Sequence, residues 1–187
     1  SDQLRLYIYN NASSTIRVST QVFRDPSAWY HVVIAFDTTN ATAQNRCRVY
    51  INGTEITTWT TNNTITQNLD VSFNNNIINY IGRDSSGEYF DGYMSDLFFI
   101  DGQQLDPTSF GETDTDTGIW KPKAYTGTYG TNGFYLQFKN SASLGTDSSG
   151  NGNTFTVNNL TSIDQTTDTP TNNFCTGNPL FKHNNAP

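Results

Sequence analysis

The chain has 187 residues and a formal net charge of −7, with 34% apolar and 14% charged residues. Its lysines and arginines are scattered, so a phosphate backbone is repelled and nucleic-acid binding is disfavoured; no apolar run is long enough for membrane insertion as a helix. No stretch of ten residues spaces its apolar positions at i, i+3, i+4 and i+7, so very little helix is expected, and the abundant Asn, Thr, Ser and Gly read as the turn-rich surface of an all-β extracellular or virion protein.

Residues 4–9 alternate, with Leu4, Leu6 and Ile8 against Arg5, Tyr7 and Tyr9, and Asn10-Asn11 turns them towards a second strand over 16–23. Residues 29–36 are a near-continuous apolar run that ends at Asp37, as in a strand covered on both faces. Residues 46–51 alternate again, placing Cys47, Val49 and Ile51 on one face and Arg46, Arg48 and Tyr50 on the other. Asn52-Gly53 then accepts the two positive φ angles of a type I′ hairpin turn. A fifth strand is expected over 77–81, stopping at Gly82, and a longer sixth over 89–100, turned by Asp101-Gly102.

The stretch 106–123 breaks the pattern: Pro107 opens a single helical turn through Phe110, and the rest reads as ordered loop. Beyond it come GFYLQF (133–138), the polar loop DSSGNGN (147–153), TFTV (154–157) and a Thr/Asp/Asn-rich tail. Leu97 and Phe99 alternate with Phe98 and Ile100, so that strand is apolar on both faces and needs a cover. Two strands in about 35 residues cannot bury a core alone. The segment 120–175 is therefore expected to fold back onto the first unit rather than to start a second one.

The order W-Y-H-V…F-D, V-Y-I-N-G, I-G-R and F-D-G-Y-M-S-D-L resembles the laminin-G-like branch of the concanavalin A-like lectin superfamily. The resemblance implies an all-β fold, an antiparallel two-sheet β-sandwich of jelly-roll type over 1–105. Residues 106–187 then form a connecting loop and an accessory β segment. Members usually begin with further strands that frame the fold. Here the match starts part-way in, so those strands are missing, replaced or supplied by another segment, and the chain reads as an interior piece of a longer polypeptide. The string DGQQLDPTSFGETDTDTGIWKPKAYTGTYGTNGFYLQF, with DSSGNGN and DTPTNNF, also resembles a module of large structural proteins of tailed bacteriophages, marine ones above all. That likeness implies a virion component, a tail fibre, spike or capsid fibre, whose partners are a host cell-surface glycan or other virion proteins. Fibres of that kind are commonly trimers, which leaves a homotrimer open by analogy alone. The competing readings are a secreted carbohydrate-binding module of a polysaccharide-degrading enzyme and a purely structural spacer.

Catalysis finds little support in the residues. Glycosidases of the resembled superfamily carry clustered carboxylates on one strand face, which sets acid and nucleophile across the scissile bond. Here Glu55, Glu88 and Glu112 are isolated, and His31 and His183 have no Ser or Cys companion at a suggestive spacing. A non-enzymatic protein is expected.

Two loops supply oxygen ligands of the kind Ca²⁺ takes. Asp114 and Asp116 precede Gly118, and Asp147 is followed by Ser149, Asn151 and Asn153, the second at a motif where laminin-G-like relatives hold calcium. Neither has a bidentate Glu at the right distance. The alternative is an Asx-type turn that caps its own amides. For sugar stacking the candidates are Trp120, Tyr125 and Tyr129 in GIWKPKAYTGTYGTNG, and Trp59 in TTWTTNN. For Trp120 and Tyr125 the weightier alternative is that they anchor a long connection onto the sandwich. Cys47 reads as a buried thiol rather than the partner of Cys175 in a disulfide.

Overall fold

A computed structural model describes residues 2–10, 14–84 and 86–171, so Cys175 and His183 lie outside the described residues. The strands in chain order are β1 (Gln3–Tyr9), β2 (Ser14–Val22), β3 (Val32–Phe36), β4 (Cys47–Ile51) and β5 (Thr54–Glu55). They continue with β6 (Trp59–Asn62), β7 (Leu97–Phe99), β8 (Gly111–Thr113), β9 (Trp120–Pro122) and β10 (Phe134–Leu136). The fold is all-β and every pairing is antiparallel; the helical pieces among the described residues are short 3₁₀ turns. None is long and apolar enough to cross a membrane.

Two three-stranded sheets, β1-β2-β6 and β3-β4-β5, make the sandwich. Strand β4 is its hub because both of its faces are buried. Cys47, Val49 and Ile51 pack with Ile8, Ile56 and Ile65, and with Leu4, Leu6 and Trp59 from the facing sheet. Each such aliphatic side chain contributes on the order of 2 kcal/mol. Tyr50, on the opposite face, joins Val33, Ala35 and Phe110 in a second cluster lined by Phe98, Ile100, Leu105 and Tyr125. The β4–β5 turn has φ of 49° at Asn52 and 78° at Gly53, as the type I′ reading requires. Burial raises the Cys47 thiol to about 11, which keeps it protonated and inert.

Two arginines depart from simple alternation. Arg46 is buried and ends a 3₁₀ turn, where its guanidinium donates to the carbonyls of Asn40, Ala41 and Ile65. Arg17 lies inside the sandwich, donates to the Cys47 carbonyl at 2.6 Å and sits over the Trp59 ring. Each satisfies a buried carbonyl, Arg46 that of Ile65 and Arg17 that of Cys47.

The expected strand over 77–81 does not form, and of 89–100 only Leu97–Phe99 pairs. Among the described residues no strand pairs with 77–81 or 90–96, and left-handed φ at Gly82, Gly87 and Asp96 interrupts the extension. Residues 154–157 are likewise irregular, held by the bond from Phe155 N–H to the Gly145 carbonyl and by the Phe155 ring against Phe134.

The downstream segment packs on β7 through paired aromatics. Phe99 opposes Phe134 with centroids 5.5 Å apart, and Phe98 stacks on Tyr135 at 4.2 Å. The stretch 106–123 begins with the 3₁₀ turn Pro107–Ser109, whose N-terminus is capped by the Asp106 side chain, but it is not otherwise loop: β8 and β9 form a hairpin within it.

Candidate functional site

The four aromatic side chains that the sequence offers for sugar stacking are built into the frame to different degrees. Trp59 faces inward from β6, against the core and under Arg17. Trp120 is half-buried: its ring fills the space beside Gly53 and Gly111, where a Cβ on either glycine would come within 2.5 Å. Its Nε1–H donates to His31 Nδ1 at 3.0 Å. That bond requires an imidazole unprotonated at Nδ1, and burial lowers the His31 pKa in the same sense. Tyr125 stacks on Phe110, meets Phe98 edge-on and donates its hydroxyl to the Thr128 carbonyl. Tyr129 packs edge-on against Tyr125 and parallel to Tyr135. The connection is thus fastened at two places, by Trp120 against His31 and by Tyr125 and Tyr129 among Phe98, Phe110 and Tyr135.

The two oxygen-rich loops are satisfied from within. Asp114 Oδ1 accepts from the amides of Asp116 and Thr117 and from the Thr117 hydroxyl, while Lys121 places its ammonium 3.1 Å from Oδ2. Those amides, first that of Thr117, and Lys121 hold the carboxyl far below its ordinary range. The Asp116 amide is spent on that turn. At the second loop, Asp147 accepts from the Tyr135, Ser149 and Asn153 amides and the Ser149 hydroxyl. Burial opposes its ionisation, yet these bonds still leave its pKa lowered. Asn151 and Asn153 donate their amide N–H groups to the carbonyls of Gly130, Thr131 and Gly133. Neither loop fits a calcium cage: Asp114 and Asp147 are already ringed by donors, an ammonium stands beside Asp114 where a cation would, and Asp116 adds a single further carboxylate. No group of three or more His, Cys, Asp or Glu converges among the described residues.

The three glutamates stand apart from one another, and Glu112 shares the Lys121 ammonium with Asp114. Glu55 is engaged by Arg48 through both oxygens, at 3.0 and 2.6 Å, and Glu112 lies 3.5 Å from the Lys121 ammonium. Glu88 sits alone on an exposed turn.

That turn carries an arrangement the sequence reading missed, because it assigned 77–81 and 89–100 to strands. Arg83 and Tyr89 form an isolated antiparallel bridge, closed by bonds from the Asp84 amide to the Glu88 carbonyl and from the Phe90 amide to the Gly82 carbonyl. The Asp84 carboxylate caps the tip by accepting from the Ser86 and Glu88 amides. The Arg83 guanidinium lies 4.2 Å from the Tyr80 ring centroid and 5.9 Å from that of Tyr89, so the three planar groups brace one another. Tyr89 remains 70% exposed and Tyr80 45%. Flat, wet rings beside a fixed donor fork are the combination that stacks on a pyranose face and reads its hydroxyls. A signal was present in N-Y-I-G-R…E-Y-F: two glycines and an Asp-Ser-Ser-Gly run between aromatic residues mark a turn.

Residues 1–108 match the family model of the concanavalin A-like lectin/glucanases superfamily, of laminin-G type. The chain belongs to that superfamily. The match ends inside the 3₁₀ turn that follows β7, so it spans both sheets of the sandwich and the Tyr80–Arg83–Tyr89 turn, and leaves the β8–β9 hairpin and β10 outside. No curated protein and no solved structure matches the chain.

Proposed function

We propose that this superfamily member is a non-enzymatic carbohydrate-binding module whose contact with sugar is made by Tyr80, Arg83 and Tyr89. The single observation that carries the reading is that turn: two exposed tyrosines held by one guanidinium, on a domain of a lectin superfamily. Tyr89 would stack on the apolar face of a sugar ring, and the guanidinium edge of Arg83 would bond its hydroxyls. Glu55 is taken up by Arg48, and Glu112 and Asp114 share the Lys121 ammonium, which supports binding without hydrolysis, since a glycosidase needs one carboxyl of a pair free to carry a proton.

The likeness of the 101–138 string and its continuation to tailed-phage structural proteins supports a finer reading: a tail-fibre, spike or capsid-fibre module that attaches the virion to a host-surface glycan. The alternative is a secreted carbohydrate-binding module carried beside a hydrolase. A glycan array, with whole-cell binding of the same labelled protein, tests both. Array binding that Tyr89→Ala removes supports the module, and binding to bacterial envelope glycans rather than to storage or cell-wall polysaccharides supports attachment. An empty array and no cell binding contradict both and leave a structural spacer.

A further inference from the structure

Strand β3 is half finished. Its register pairs Val32 with Ile51 and Ile34 with Val49, so these four side chains share the inner face of the sheet. Val49 and Ile51 are 1% and 6% exposed beneath the opposite sheet, whereas Val32 and Ile34 are 45% and 47% exposed. The opposite sheet therefore covers β4 and stops short of β3. A cleft of about 340 Å³ opens there, lined by Leu4, Phe23, Tyr30, Val32 and Ile51.

The backbone of β3 is open along the same side. Asp37 N–H bonds the Arg46 carbonyl, and His31 O accepts from Asn52, so odd-numbered residues turn their amides towards β4. The N–H and C=O groups of Val32, Ile34 and Phe36 point the other way, and β4 is the one strand paired with β3 among the described residues. An unpaired edge beside an uncovered apolar face is a template for an added strand. Charge sets what that strand carries. Asp25, in the connection from β2 to β3, and Asp37, just past the end of β3, have no cationic partner among the described residues; Arg24, next to Asp25, is paired with Asp2. Bonds from Ser27 lower the Asp25 pKa, which keeps it charged.

We infer that β3 is a docking edge for an extended polypeptide strand from a partner, apolar at alternate positions and basic at both ends. Its apolar side chains enter the cleft at Val32 and lie over the exposed Ile34 further along the strand, and its cations meet Asp25 and Asp37. This surface is independent of the sugar-binding reading.

The probe is a fluorescent peptide, acetyl-Lys-Val-Thr-Val-Thr-Val-Lys-amide, titrated against the full chain by anisotropy. Saturable binding is expected, weakened at least tenfold by Ile34→Lys and by exchanging both peptide lysines for glutamate, but not by Tyr89→Ala. Backbone N-methylation at the valines and at the threonines, made separately, must split: one set abolishes binding and the other keeps it, because only alternate amides face the edge. Ile34→Thr keeps strand propensity and gives an intermediate loss. No saturable binding, equal effects of the two methylation sets, or indifference to Ile34→Lys overturns the inference. Self-association of the chain alone that Ile34→Lys abolishes also overturns it, by assigning the edge to a second copy.

Discussion

Gly111→Ala tests how the β8–β9 hairpin is fastened. Gly111 is buried and its φ lies outside the left-handed region, so alanine meets no backbone obstacle there. The obstacle is Trp120: a Cβ at 111 would lie 2.5 Å from Cζ2, 2.6 Å from Cε2 and 2.7 Å from Nε1. Those separations are an ångström short of contact, and the ring cannot move without disturbing its packing on Gly53 and the bond to His31. Overpacking of this kind costs about 1–3 kcal/mol, which for a chain of this size lowers Tm by roughly 3–9 °C. Trp120→Ala alone costs about 2–3 kcal/mol, less than a fully buried indole because the ring is half-exposed. The informative variant is the double one. With the indole gone the alanine has room, so Gly111→Ala should add nothing to Trp120→Ala, a coupling of about 1–3 kcal/mol in a double-mutant cycle read by thermal or urea melts. Additive effects, within about 0.5 kcal/mol, would refute the reasoning and mean that Gly111 is needed for something other than the ring.

Three further outcomes follow from the same geometry. His31 accepts from Trp120 only when unprotonated at Nδ1, and burial lowers its pKa below the unfolded value; the unfolded chain therefore takes up the proton first, so stability is full above about pH 6.5 and declines as pH falls through and below it. His31→Gln should flatten that part of the melting-point profile, and an unchanged slope contradicts the assignment. Asp147→Ala strips the acceptor from three amides and a hydroxyl and should cost about 2 kcal/mol, whereas EDTA should leave the wild-type midpoint where it is; a drop in EDTA that Ca²⁺ restores would show that the loop is a cation site. Arg46→Met leaves the buried Ile65 carbonyl without its donor and should cost about 3 kcal/mol, measured by urea unfolding; a loss under 1 kcal/mol would mean that water replaces the guanidinium.

The parts of the fold that were legible were those whose information is local. Alternation located β1 and β4, the Asn10-Asn11 pair pointed to β2, and Asn52-Gly53 announced its hairpin because few residue pairs accept two positive φ angles. The irregularity of 77–96 was not legible, because strand formation there depends on a partner edge that no local pattern reveals. Nor was β8–β9: GET and WKP carry no alternation, and the hairpin exists because Trp120 finds a slot between two glycines distant in sequence. The same distance hid the site. Trp59 reads equally well as an exposed platform in its polar surroundings, and only its contact with Arg17 turns it inward; for Trp120 the anchor was the weightier reading, but its partners Gly53, Gly111 and His31 were not legible. Tyr80 and Tyr89 read as strand residues until the turn that joins them is seen.

The central claim, that the Tyr80–Arg83–Tyr89 turn holds a sugar, is tested most directly by amide and aromatic NMR shifts during titration with the best array glycan. Shift changes concentrated at residues 80–91, with the Tyr80 and Tyr89 ring protons moved upfield by the stacked sugar and the affinity lowered at least tenfold by Arg83→Ala, are the predicted result. Changes centred instead on Trp120, Tyr125 and Tyr129, with 80–91 unmoved, would contradict it.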